Sequence, residues 1–197
     1  MVGNALEQNI IGLYSDNPSS AYSINQIATK LGKKYPYINK KVTILIKNRI
    51  FKKIVVGRSH LCSLNLSNDE TIYLLILNEI HKKKRVVEKN SRLGTLMEYL
   101  AKAARAANNP LILKQKDTLL FVTESKESQQ DLEKSLLKEA LKGHTPQILT
   151  KAEFLERLKT DKSLHEFHTI LHGFEKYYEY IREIEDELKI RYSKLTP

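Results

Sequence analysis

Residues 23–65 read SINQIATKLGKKYPYINKKVTILIKNRIFKKIVVGRSHLCSLN. Ser23 is a good N-cap for a helix in which Ile24, Ile27, Ala28 and Leu31 recur at helical spacing. Gly32 stands where a left-handed residue ends such a helix. A tight turn, Lys33-Lys34-Tyr35, leads to Pro36. Proline suits the first position of a helix because its missing N–H would have no partner there anyway. The helix it opens turns Ile38, Val42, Leu45 and Ile46 inward. From Phe51 the period changes to two: Ile54 and Val56 alternate, Gly57-Arg58-Ser59-His60 turns, and Leu61, Ser63 and Leu64 follow. Two short strands about a glycine-containing turn predict a β-hairpin.

Outward from this core the chain stays periodic. Upstream, Leu6, Ile10, Ile11 and Leu13 share a helical face, and SDNPSS at 15–20 breaks it. Downstream, a helix over 69–85 carries Ile72, Leu75, Ile76 and Ile80 and ends in His81-Lys82-Lys83-Lys84-Arg85. A linker is expected over 86–92 and an alanine-rich helix over 93–107, stopped by Asn108-Asn109-Pro110. Residues 111–123 read as two strands about a KQKD turn, or as one bent strand. An amphipathic helix over 126–142 places Leu132, Leu136, Leu137 and Leu141 on one side, and Gly143 closes it. PQILT is a short strand, after which Thr150 caps a helix and Glu153 completes a capping box. A last helical run over 164–192 is expected to break near Gly173. The sum is a helix-rich α+β chain, with a first domain over 1–68, a connecting helix and linker over 69–92, and a small α/β domain over 93–197.

Charge divides along the same line. Residues 1–66 hold ten Lys/Arg against two acids, residues 67–92 six against four, and residues 93–197 seventeen against seventeen. The net +10 is therefore a local patch, the electrostatic footprint of a phosphate-backbone binder. No apolar run approaches the roughly 18 residues of a membrane span, and no signal peptide is expected. The single cysteine, Cys62, excludes an internal disulfide framework and suits a reducing cytoplasm. His168 and His172 are four apart, a spacing that suits two metal ligands on one helix, with His165 close by. The glutamate of the zinc-protease motif is absent, so these histidines are read as ordinary helical residues and no metal is expected.

In a helix-turn-helix the second helix enters the major groove. Here that helix starts at Pro36, and its outward stripe is expected to be Tyr37, Lys40, Lys41, Ile44, Lys47 and Asn48. Lys40 and Lys41 are candidates for phosphate or guanine edges, Tyr37 and Ile44 for thymine methyls, and Asn39 or Asn48 for adenine. Lys33 and Lys34, with Tyr35, lie at the turn where a phosphate would pass. Arg58, with Ser59 and His60, forms the hairpin tip that would reach the minor groove or flanking backbone. The run Lys82–Arg85 is read as a helix C-terminus complementing its own dipole rather than as a further phosphate contact.

The segment 23–65, with VGRSHLCSLN at its end, resembles the winged helix-turn-helix of archaeal transcriptional regulators. A second resemblance covers 118–180. TLLFVTESKE, DLEKSLLKEAL, QILTKAEFLERL and ILHGFEKYYEYI are similar in order to the later part of a minimal nucleotidyltransferase domain. In that family a Gly-Ser loop and paired aspartates before the strand equivalent to LLFV hold nucleotide phosphates and two metals. This chain has no such Gly-Ser pair there, and only Asp117 remains near the position. One carboxylate cannot build a two-metal centre. The resemblance thus implies a frame without the reaction and without a cofactor. Core packing is the default account of the helical stripe Tyr177, Tyr178, Tyr180, Ile181, Ile184, Leu188 and Ile190, and a two-fold homodimer interface is the sharper one, since winged helices often bind palindromic sites as dimers. The expected function is a cytoplasmic, sequence-specific regulator that binds double-stranded DNA and acts by promoter occupancy, with the transcription machinery as a further partner. The rival readings are an active metal-dependent nucleotidyltransferase and a toxin–antitoxin or replication-associated adaptor.

Overall fold

The structure, a computed structural model, describes residues 5–56, 59–106, 110–136, 141, 143–161, 164 and 168–188. It is an α+β chain with two small sheets. Two compact units divide it: Met1–Asn78 with Ile181–Pro197, and Glu79–Tyr180.

The first unit runs α1 (Ala5–Gly12), β1 (Ala21–Ser23), α2 (Ile24–Leu31), α3 (Tyr35–Lys47), β2 (Phe51–Val56), β3 (Ser59–Leu64) and the start of α4 (Asp69–Glu88). Its antiparallel sheet has the order β1-β3-β2. The helix ends are set locally. The Ser23 hydroxyl accepts from the Gln26 N–H while the Gln26 side chain accepts from the Ser23 N–H, a full capping box. Gly32 takes φ +60°, and the Lys33 N–H closes on the Ala28 carbonyl at 3.0 Å. Arg49 does without glycine: it sits at φ 59°, its carbonyl held by the side-chain amides of Asn65 and Asn68. The core gathers Ile10, Ile11, Ile27, Ile38, Val42, Leu45, Ile50 and Leu75, all fully buried. Tyr14 is buried between the rings of Tyr22 and Phe51, and its hydroxyl donates to the Cys62 carbonyl at 2.9 Å. The Cys62 thiol is buried, and that burial pushes its pKa up, which keeps it protonated and inert.

The second unit holds the rest of α4, then α5 (Ser91–Ala106), β4 (Leu111–Gln115), β5 (Thr118–Thr123), α6 (Lys126–Ser135), β6 (Thr145–Thr150), α7 (Lys151–Thr160), β7 (Thr169–His172) and the part of α8 (Phe174–Glu183) up to Tyr180. Its sheet order is β6-β5-β4-β7, with β5 and β6 parallel and the other pairs antiparallel. β4 and β5 are buried on both faces, which explains their unbroken apolar runs LIL and LLFV. Ile112, Leu119, Phe121 and Leu171 pack with Leu93, Leu96, Leu100, Ala104 and Leu132. Thr150 and Glu153 form the expected capping box at α7. Among the described residues no helix is long and apolar enough to cross a membrane.

Four expectations change here. The linker shrinks to Lys89-Asn90, since α4 runs to Glu88 and Asn90 accepts from the Leu93 N–H at the start of α5. α6 stops at Ser135 because Leu136 turns extended, at φ −75° and ψ 109°. The last helical run is interrupted by β7, which pairs Ile170 with Leu113 and His172 with Ile112. Gly173 ends that strand at φ +79°, where a Cβ would come 3.0 Å from the Leu111 Cα. Finally, Tyr177, Tyr178, Tyr180, Ile181, Ile184 and Leu188 are all buried within the chain, so this stripe is core and offers no face to a second copy. Ile190 lies outside the described residues.

Candidate nucleic-acid interface

α3 turns Ile38, Val42 and Leu45 fully inward, which fixes what its other side presents. Lys33, Lys34, Tyr35, Pro36, Tyr37, Asn39, Lys40, Thr43, Lys47 and Asn48 are exposed. Tyr37 is the most open of the aromatic pair, at 68% against 48% for Tyr35. Tyr37, Lys40 and Lys47 follow at three- and seven-residue steps on one stripe, with Ile44 half-buried between them. Among the described residues none of Lys33, Lys34, Lys40 and Lys47 makes an ion pair. The N-cap of α3, Lys34, supplies no side-chain hydrogen bond to the first turn. Backbone donors and dipole there favour an anion, and two lysines flank them.

Lys41 behaves differently. Its Nζ donates to Glu7 Oε1 at 2.9 Å, and the Glu7 side chain is only 6% exposed. Sequence reasoning put Lys41 on the outward stripe; the structure engages its charge with α1 instead. Glu7 shares the Ile10–Ile11 side of that helix, and its carboxylate needs a cation to be buried there. Asn39 remains exposed, with its carbonyl accepting the Thr43 hydroxyl at 2.8 Å.

At the hairpin, Ser59 begins β3 and His60 is exposed, paired in register with Val55. Arg58 and Gly57 lie outside the described residues. β2 adds what the sequence reading left out: Lys52 and Lys53 are both exposed, as are Ile54 and Val55. β2 is an edge strand, and edge lysines also discourage strand addition by another chain. The signal for them was a pair of adjacent lysines in a strand, where strict alternation would have buried one.

The basic run towards the end of α4 divides: Lys82 and Lys83 turn inward, while Lys84 and Arg85 stay exposed. Lys82 lies 3.8 Å from buried Glu79, and Lys83 Nζ donates to the Leu171 carbonyl at 2.7 Å. Lys84 faces Glu88 at 3.9 Å, and Arg85 Nε donates to the His81 carbonyl. Burial lowers the Lys83 pKa, as expected for an ammonium held against a carbonyl and 5.6 Å from the Phe174 ring centroid.

The metal-ligand spacing does not survive either. His172 is on β7 and His168 precedes it, so four residues of extended chain separate them by about 13 Å. Burial, then the cations of Lys83 and Lys176, lower the His172 pKa. His165 lies outside the described residues. Asp117 is exposed in the β4–β5 turn, its carbonyl accepting the Thr145 N–H at 2.8 Å. Among the described residues no three His, Cys, Asp or Glu side chains gather as a metal site. No protein-family model, curated protein or solved structure matches the chain.

Proposed function

We propose that the chain binds double-stranded DNA through α3 and regulates transcription by occupying a promoter. In this reading helix α1, strand β1, helices α2 and α3 and the β2–β3 hairpin make a winged helix-turn-helix. The second unit is a nucleotidyltransferase-like frame that carries no catalysis and lends a surface to partners. The observation that supports DNA binding best is the disposition of charge on α3. One side is locked into the core by Ile38, Val42 and Leu45, while Lys33, Lys34, Lys40 and Lys47 stand exposed and, among the described residues, without acidic partners. Carrying such a cluster costs self-repulsion, which a phosphate backbone relieves.

The test is duplex binding across a salt series. If those four lysines each neutralise one phosphate, log K falls against log salt with a slope of about −3 to −4. Selection from a pool of genomic fragments should then enrich one short motif. A slope near zero, or equal recovery of all fragments, would defeat the reading of a sequence-specific regulator.

A further inference from the structure

Helix α4 exposes a stripe that the fold does not use. Tyr73 is 67% exposed, Leu77 41% and Ile80 43%. The other side of the same helix is buried through Thr71, Ile72, Leu75, Ile76 and Glu79. Ile80 recurs at helical spacing with Ile72, Leu75 and Ile76, yet it faces out while they are buried. Glu70, Tyr73, Leu77, Ile80 and Lys84 are spaced by three, four, three and four residues, and all five are exposed. That alternation is the seam of a helix pair, because it keeps one line of side chains facing a partner helix. Large apolar side chains scattered singly need no explanation, but three in register on one helix do.

The charges of α4 say what covers the seam. The helix opens with Asp69 and Glu70 and carries Lys82, Lys83, Lys84 and Arg85 towards its other end, before Glu88. Glu70 and Lys84 lie seven residues either side of Leu77. A second α4 laid antiparallel across Leu77 therefore sets each Glu70 against the other copy's Lys84, and sets Tyr73 against Ile80. It also opposes the two helix dipoles favourably. A parallel pairing would set acid on acid and base on base. The seam is complementary to itself only under a two-fold axis, the symmetry of isologous dimers. The internal Lys84–Glu88 pair offers little competition, at 3.9 Å with both side chains well exposed.

We propose that α4 is the homodimerisation element of this chain, pairing antiparallel with α4 of a second copy about Leu77. This goes beyond the DNA-binding reading and does not rest on it. The three apolar anchors are fewer than an interface of about 800 Å² per partner ordinarily holds, so association is in the micromolar range, about 1–10 μM.

Sedimentation velocity of the full chain, without DNA, over a concentration series tests it. Wild type should shift from monomer to dimer across that range. Leu77→Glu sets two carboxylates face to face at the axis and should weaken association at least about tenfold, with an unchanged circular dichroism spectrum. Glu70→Lys and Lys84→Glu should each weaken association about three- to tenfold, and the double reversal Glu70→Lys/Lys84→Glu should return it to within about threefold of wild type. Should Leu77→Glu fail to fold, the reversal series decides alone. A wild type that stays monomeric, charge reversals without effect, or a double reversal no better than the singles would overturn the proposal. Because no DNA is present, none of these results bears on whether α3 binds it.

Discussion

Adjacent lysines on α3 are predicted to fail in different ways. Lys40 is exposed and makes no ion pair among the described residues, whereas Lys41 holds the buried Glu7 carboxylate at 2.9 Å. Removing one partner of a buried pair costs about 3–5 kcal/mol, because the remaining charge is left in a poor solvent. Lys41 is 23% exposed, so water reaches the site and a cost of about 2 kcal/mol is expected for Lys41→Ala. For a chain of this size that lowers Tm by about 4–8 °C. Lys40→Ala should leave Tm within about 1–2 °C, since exposed changes rarely exceed about 0.5 kcal/mol. On duplex DNA the order inverts. Lys40→Ala loses about 1 kcal/mol, roughly fivefold in affinity, and lowers the salt slope by about 0.9. Lys41→Ala, measured well below its Tm, should bind nearly as wild type. Glu7→Leu with Lys41→Met should recover most of the lost stability, because an apolar pair of similar volume needs no desolvated charge. Differential scanning calorimetry and fluorescence anisotropy on the same samples check both halves. Lys41→Ala with unchanged Tm but affinity reduced as far as Lys40→Ala would show that Lys41 belongs to the DNA face and that its pairing with Glu7 is incidental.

Three further outcomes follow from single contacts. Gly173→Ala must put a Cβ 3.0 Å from the Leu111 Cα at φ +79°, and backbone cannot yield as a side chain would; a loss of about 1–3 kcal/mol in chemical denaturation is expected, while an unchanged midpoint would mean β7 does not close on β4. Tyr14→Phe deletes the buried donor to the Cys62 carbonyl and should cost about 1–2 kcal/mol, with no loss if water replaces it. His172 is held below its usual value near 6.5 by burial first and by Lys83 and Lys176 next. The unfolded chain then takes up a proton that the folded chain refuses, so stability present above pH 6.5 is lost as pH falls towards the folded value. His172→Gln should flatten that part of the profile in urea titrations from pH 8 to pH 5, and identical slopes in both proteins would refute the assignment.

The local features of this fold were legible and the distant ones were not. Ser23 with Gln26, Thr150 with Glu153, Gly32, and the hairpin from Phe51 to Leu64 each act within a few residues, so a short window contains their cause. β1 is three residues whose partners, Leu61, Cys62 and Ser63, lie some 40 positions on, and no periodicity develops in so short a run. β7 failed for the same reason. Ile170 and Leu171 fit a helical stripe as well as a strand, and only pairing with β4, nearly 60 residues earlier, decides between them. The stripe that begins on α8 leaves core packing and a two-fold interface both open in the sequence, because sequence shows that a face must be buried and not against what; burial decides for the core. On α3 the inward Ile38, Val42 and Leu45 were legible from spacing, while Ile46, expected with them, is half-buried and Lys41 was lost because its partner Glu7 lies on another helix.

The same limitation applies to charge, and it changes what the excess of cations means. By count, the basic end of α4 is as dense as anything on α3. By structure, Lys82 and Lys83 turn inward onto buried Glu79 and the Leu171 carbonyl, and Lys83 is desolvated enough to lose basicity, whereas Lys84 and Arg85 stay exposed with only weak contacts inside α4. A cation already donating inward must give up that contact before it can serve a phosphate. The exposed lysines of α3 give up only water. Counterion release therefore weights the two runs unequally: four to six contacts from α3 and β2 would give a slope of about −4 to −5, whereas enlisting the α4 run as well would push it beyond about −7. The slope is thus a measure of which lysines are free rather than of how many there are, and a value beyond about −7 would mean that the inward contacts of α4 open when DNA binds.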